Sequence, residues 1–325
     1  MKNGSAKDAI RNLKVLAPVA DVLISPFTFA AAVWFRVARF WGVKNMRLTQ
    51  KIFLRTGMFP IVDHYYEPLF DYRKLPGRVP GSYLEMSDDR QLEYIRQLNF
   101  GDELSKFPLD KSGDAVHYYY ENGSFGTGDG ELYYSVIRKN KPRRILEIGS
   151  GFSTLMCLEA VKKNTSENPA YSCKVTCVEP YEMPFLERLN IELIRRKVED
   201  VDPKVFRELQ PGDILFIDSS HIIRPGGDVN YLILKILPIV PSGVWVHFHD
   251  IFLPREYPVN WLRDEFRMWN EQYLLEAFLL NNDQYQIMLA MNYLQHQFPG
   301  DLARAFPMMA KENDREPGSF WIKRK

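Results

Sequence analysis

Over the second half of the chain, apolar residues fall in short, nearly continuous runs separated by longer amphipathic stretches. Arg144–Ile148, Lys174–Glu179 and Asp213–Asp218 each read as a buried strand, the last entirely apolar between its two acids. Val244–Asp250 reads as another, and a short strand is expected at Lys197–Asp200. Helices are expected between them, from Ser153 to Lys163, Met183 to Arg196 and Val229 to Leu237. Continuous apolar strands are buried on both faces, and strands alternating with helices imply a parallel sheet covered on both sides. The expected fold is therefore α/β: a doubly wound, mostly parallel sheet. A helix from Trp261 to Phe278 precedes apolar strands near Tyr285–Ala290 and Ser319–Ile322, which suit an antiparallel pair finishing that sheet.

The first 121 residues follow a different pattern and are read as a helical and irregular extension, with the sheet domain spanning 122–325. Val15 to Phe40 is apolar, but Asp21 and Pro26 interrupt it and Arg36 and Arg39 close it. Its unbroken apolar length falls short of the ~20 residues of a spanning helix. It is expected to pack on the body of the protein, with peripheral membrane contact through Trp34 and the arginines as the alternative. Arg55 to Pro68 is dense in aromatic and polar residues, either an irregular connection or the lining of an acceptor pocket. A helix is expected from Asp89 to Phe100, then the tyrosines 118–120 and a glycine-rich loop, Asn122 to Glu131. In that loop Asp129 is the expected N-cap of a helix running to Asn140. The loop itself is either a simple capped turn or a flap over the sheet end.

Composition narrows the class. The 325 residues carry a formal net charge of +1 with dispersed basic residues, and nothing suggests a nucleic-acid surface. Three cysteines, Cys157, Cys173 and Cys177, form no CxxC pair and read as reduced thiols in a cytoplasmic setting.

Candidate chemistry gathers where the strands end. Glu147-Ile148-Gly149-Ser150-Gly151-Phe152-Ser153 is strand, tight glycine turn, helix. Glycine there permits close approach of a ligand to the main chain, and the helix start offers free N–H groups. No Gly-Lys-Ser/Thr follows, which excludes a P-loop. Glu147 before the first glycine repels phosphate and suits a cationic ligand. Glu179 closes the second strand, where a carboxylate grips a ribose diol. Asp218 closes the next long strand, and His249 and Asp250 close its neighbour, so three potential metal ligands converge. His221 overhangs the same place as a general base.

Together these residues resemble a class I S-adenosylmethionine (SAM)-dependent methyltransferase, with the Rossmann-like fold, of the type called methyltransferase family 24. The motifs that carry the resemblance are the glycine turn, Glu179, Phe216-Ile217-Asp218-Ser219-Ser220-His221 and Val246 to Pro254. The pattern is similar to metal-dependent O-methyltransferases of macrolide sugars and departs from them at His249, where those relatives carry an acid. The resemblance implies a cofactor set of Glu147, Gly149, Ser150, Gly151, Ser153, Glu179, Asp200 and Asp218. It also implies a divalent metal, Mg²⁺ or Mn²⁺, on Asp218, His249 and Asp250, and His221 as the base. The acceptor would be a sugar or other small natural-product intermediate, with a homo-oligomer left open. Two other classes fit less well. A nicotinamide-dependent oxidoreductase lacks its third glycine here, and a non-catalytic assembly protein would leave the Asp218/His221 pocket filled by its own side chains.

Overall fold

The computed structural model describes residues 16–62, 68–69, 83–113, 116–181, 183–312 and 315–325. Residues 63–67, within the aromatic segment read as a connection or acceptor pocket, lie outside these. The chain forms two compact units, Met1–Leu75 and Pro76–Lys325, so the division falls earlier than residue 121. Residues 84–121 supply part of the second unit's core: Leu92, Ile95, Leu104, Tyr118 and Tyr120 are all buried there.

The second unit is built on seven strands: β1 (Arg144–Ile148), β2 (Lys174–Val178), β3 (Glu192–Ile194), β4 (Ile214–Ile217), β5 (Trp245–Phe248), β6 (Tyr285–Ala290) and β7 (Phe320–Arg324). Their order is β3-β2-β1-β4-β5-β7-β6. The first five are parallel; β7 runs antiparallel to β5, and β6 antiparallel to β7. The doubly wound sheet and its antiparallel finish are as the pattern of apolar runs implied. Alternation along each strand divides the core in two. Ile145, Cys177, Phe216 and Trp245 face one layer, which includes the helices Asp88–Arg96, Asp129–Asn140 and Phe152–Glu167. Leu146, Ile148, Val178, Leu215, Ile217, Val246 and Phe248 face the other, under the helical run 228–239 and the helix Glu271–Leu279.

Four local expectations are corrected. The segment 183–196 is not one helix: a 3-10 turn, Pro184–Arg188, precedes β3, in which Leu193 and Ile194 pair with Cys177 and Val178. Sheet pairing overrides helical propensity here. The strand placed at 197–200 is a 3-10 turn, Val198–Asp200. The helix placed at 261–278 is broken into Val259–Arg263 and Glu271–Leu279. Between them the Arg267 guanidinium lies 4.2 Å from the Trp261 ring and 4.6 Å from that of Trp269. Finally, Gly128 rather than Asp129 precedes the helix, and the Asp129 carboxylate accepts the Ser319 N–H at 2.8 Å. The loop before it is a packed wall instead of a flap. Phe125 through Gly130 are buried, and Glu131 accepts N–H groups of Gly128, Met308 and Met309.

Among the described residues the first unit holds two α-helices, Ala17–Trp41 and Arg47–Thr56, joined through a 3-10 turn, Val43–Asn45. They meet through Phe53, 5.4 Å from the Phe35 ring and 6.0 Å from that of Phe59. The longer helix has one buried residue, Ala38. It is long and apolar enough to cross a membrane by length and composition, with a mean hydropathy of 1.5 in its most apolar window.

Candidate functional site

The site begins where β1 ends. Gly149 has φ +77°, and a Cβ there would lie 1.9 Å from the Asp218 carbonyl oxygen. Only glycine lets the end of β1 lie this close to the end of β4. The Gly149 N–H donates to the Val178 carbonyl at 3.0 Å and the Asp218 N–H to that of Ile148 at 2.8 Å. Three strand ends are thereby tied together.

A cavity of about 370 Å³ opens over those ends, lined by Gly149, Glu179, Tyr181, Glu199, Asp218 and Ser220 among others. Glu179 is nearly buried at its rim; Oε2 accepts the Ser150 N–H at 3.3 Å and Oε1 the Tyr181 N–H at 2.9 Å. These bonds fix the carboxylate at the end of β2, where a diol can be held.

Glu147 departs from its expected role. It is fully buried on the same sheet face as Ile145 and accepts hydrogen bonds from Tyr133 (2.9 Å) and Thr154 (2.6 Å). Thr154 Oγ1 in turn accepts the Gly151 N–H at 3.1 Å, so Glu147 braces the glycine turn from beneath. Burial raises its pKa to about 7, against the lowering effect of its hydrogen-bond donors. Ser150, Gly151 and Ser153 build the start of the helix and are not among the cavity's lining residues. Neither is Asp200: in the 3-10 turn its neighbours Val198 and Glu199 take that place.

At the ends of β4 and β5 the structure assembles a tighter group. His221 is buried, with Nδ1 2.8 Å from Glu271 Oε2, and Nε2 3.3 Å from Asp218 Oδ1 and 3.7 Å from Asp250 Oδ2. The Trp269 ring packs 4.2 Å from the imidazole. The backbone enforces the arrangement. The N–H groups of Asn270 and Glu271 donate to the His221 carbonyl at 3.0 and 3.2 Å, and Ser219 Oγ donates to Glu271 Oε1 at 3.1 Å. His221 and Asp250 both adopt left-handed backbone, φ 59° and 56°. Such conformations cost about 1–3 kcal/mol and persist where the surroundings over-determine them.

Burial alone would lower the pKa of His221, but its hydrogen bonds to Asp218 and Glu271 and the charges of Glu271 and Asp250 hold it well above the usual histidine value. Burial raises Asp218, yet His249 and His221 bring it to a net lowering. Asp250 is raised, chiefly by burial.

Asp218, His221 and Asp250 each offer one donor atom within 4.8 Å of the others, a set of two oxygens and one nitrogen that fits a divalent cation. His249 stands outside that group. Its Nε2 is 3.5 Å from Asp250 Oδ1, its ring lies 5.1 Å from Phe125, and its buried Nδ1 has no hydrogen-bond partner among the described residues. His221 is the histidine within reach of both acids, whereas His249 approaches Asp250. Glu271 was missed by sequence reasoning. It lies within an expected helix some fifty residues downstream, and only its place at a helix start following Asn270 sets it apart.

Residues 146–251 match a family model described as "Methyltransferase domain". An uncharacterized protein of Archaeoglobus fulgidus is 27% identical over 163 residues, covering 45% of this chain and 72% of its own. Among solved structures, the O-methyltransferase TomG from Streptomyces achromogenes, involved in tomaymycin synthesis and in complex with SAM, is similar with a TM-score of 0.37. Its identity is 14% over 75% of this chain and 93% of that one. An O-methyltransferase from Bacillus cereus in complex with S-adenosylhomocysteine has a TM-score of 0.35 at 14% identity, over 72% and 90% of the two chains. Those structural likenesses are low, and the assignment rests on the family match and the strand order. Over residues 146–251 the chain is thus similar to a methyltransferase domain, set on a doubly wound sheet.

Proposed function

We propose that the protein transfers the methyl group of SAM to a hydroxyl oxygen of a small-molecule acceptor, with His221 taking the acceptor's proton. The observation that carries this reading is the Glu271–His221 pair, whose second imidazole nitrogen faces Asp218 and Asp250 beside the cofactor cavity. Methyl transfer is an in-line displacement, in which the protein aligns donor and acceptor and excludes water. An oxygen acceptor needs a proton acceptor as well. Glu271 orients the imidazole through Nδ1 and leaves Nε2 toward the reacting end, the arrangement of a base positioned by a carboxylate. Glu179 would hold the ribose hydroxyls, and the backbone at Gly149 would lie against the bound cofactor.

Asp218 and Asp250 would hold a Mg²⁺ or Mn²⁺ ion, with the His221 Nε2 left free of it to take the proton. Such an ion supplies positive charge that orients and acidifies an acceptor hydroxyl. It would also draw both carboxylates away from the imidazole and favour its neutral form, the one able to accept a proton. A polyhydroxylated acceptor, such as a sugar or natural-product intermediate, is the class the motif resemblance favours.

The test is a methyl-transfer screen with radiolabelled SAM against hydroxylated acceptors, with chelator, Mg²⁺ or Mn²⁺. Transfer to oxygen that His221→Ala lowers by about 10²–10⁴-fold supports the reading. Equal turnover in that variant removes His221 as base. Transfer to nitrogen or carbon alone removes the O-methylation.

A further inference from the structure

We propose that the helix Ala17–Trp41 is an in-plane membrane anchor that seats the N-terminal unit on an anionic lipid surface. The helix sorts its residues by face. Asp21, Ser25, Thr28, Arg36 and Arg39, with the small Ala32 among them, recur at spacings of three and four, which places the polar residues in one stripe. The opposite arc is apolar and open to solvent: Leu23 is 71% exposed, Phe27 76% and Trp41 58%, with Val22, Phe29 and Phe40 on its flank. An apolar arc of this breadth left uncovered marks an interaction surface.

Two observations identify a lipid surface as the occupant. First, charge is one-sided. Among residues 16–62 the acidic side chain is Asp21, whereas Arg36, Arg39, Lys44, Arg47, Lys51 and Arg55 are basic. All of these except Arg39 are exposed, the complement of anionic headgroups. Second, Trp34 and Trp41, 44% and 58% exposed, sit near the basic end, where aromatic side chains occupy the headgroup level.

The geometry favours lying in the surface over spanning it. The whole helix is long enough to cross, but Asp21 and Arg36 lie within it, and the uncharged stretch between them, residues 22–35, covers only ~21 Å, less than the ~30 Å hydrocarbon core. The second helix also leaves apolar side chains open, with Leu48 73% exposed and Leu54 75%.

The test is co-sedimentation of the full-length protein with vesicles of phosphatidylcholine alone or with phosphatidylserine added, at low and high salt. The variants are Phe27→Glu with Phe29→Glu, and Arg36→Glu with Lys44→Glu. All four positions are exposed, and unchanged SAM binding and circular dichroism verify folding. The wild type is expected to bind the phosphatidylserine vesicles and to release as salt rises. The phenylalanine pair should abolish binding, and the basic pair should weaken it about 30-fold or more. A wild-type protein that stays in solution with both vesicles overturns the proposal. So does a wild type that is oligomeric without lipid and becomes monomeric in the phenylalanine variant, which would assign the apolar arc to a second copy.

Discussion

Replacing Gly149 with alanine tests the junction on which the site is built. Two costs follow from the structure. At φ +77° an L-residue adopts left-handed backbone, at about 1–2 kcal/mol. The added Cβ also meets the Asp218 carbonyl oxygen at 1.9 Å and its carbon at 2.9 Å, both backbone atoms that cannot rotate aside. Overpacking of this kind costs about 1–3 kcal/mol. The sum, roughly 2–5 kcal/mol, is a large part of a domain's ~5–15 kcal/mol. Gly212 supplies the control: its φ is +91° and nothing lies within 4 Å of the place a Cβ would take, so Gly212→Ala carries the backbone cost alone. Thermal unfolding followed by near-ultraviolet circular dichroism should show Gly149→Ala lowered by roughly 5–20 °C and Gly212→Ala by only a few degrees. SAM binding should weaken in the first variant alone, because relief of the clash displaces Asp218. Equal melting losses in the two variants, with SAM binding intact in both, would refute the argument that β1 and β4 require glycine for contact.

Further outcomes follow from the same geometry. Because burial raises the folded pKa of Glu147 to about 7, the folded state binds more protons than the unfolded one between roughly pH 4.5 and 7. This group's contribution to stability therefore falls as pH rises through that window and levels off above it, by roughly 3 kcal/mol in all. Glu147→Gln should flatten that limb in denaturant titrations at pH 5 to 8, and an unchanged slope counts against the buried carboxylate. Since neighbouring carboxylates raise His221, the acid limb of kcat/KM in chelator-treated enzyme should lie above pH 6.5. Glu271→Gln should move it to lower pH and reduce kcat, whereas a fixed limb would remove Glu271 from the proton-accepting unit. If Asp218 and Asp250 hold a cation, Asp250→Asn should abolish Mn²⁺ binding measured by electron paramagnetic resonance, while His249→Ala retains it. The reverse pattern would restore His249 to the site.

Much of this architecture was legible in the chain. Four of the five parallel strands follow from runs such as Ile214–Ile217, which are too continuously apolar to lie anywhere except between two covered faces. Convergence of Glu179, Asp218, His221 and Asp250 follows from their positions at strand ends. What was not legible depends on register and on distant pairing. Glu147 stands before the glycine as a cofactor ligand would, yet strand alternation puts it on the face of Ile145, where Tyr133 and Thr154 engage it. β3 pairs as an edge strand through only three residues, too few to compete with helical periodicity in the sequence. Glu271 reaches His221 because the helix expected at 261–278 breaks and restarts, and its new first turn meets the His221 carbonyl. No local pattern announces such a contact.

The central claim is that the cavity over β1, β2 and β4 receives SAM, and calorimetric titration of the full-length protein tests it most directly. The account predicts saturable binding of SAM and S-adenosylhomocysteine. Glu179→Ala should weaken it about 100-fold, the effect of losing two hydrogen bonds to a charged group. Absence of binding to either ligand, with or without Mg²⁺ or Mn²⁺, would contradict it.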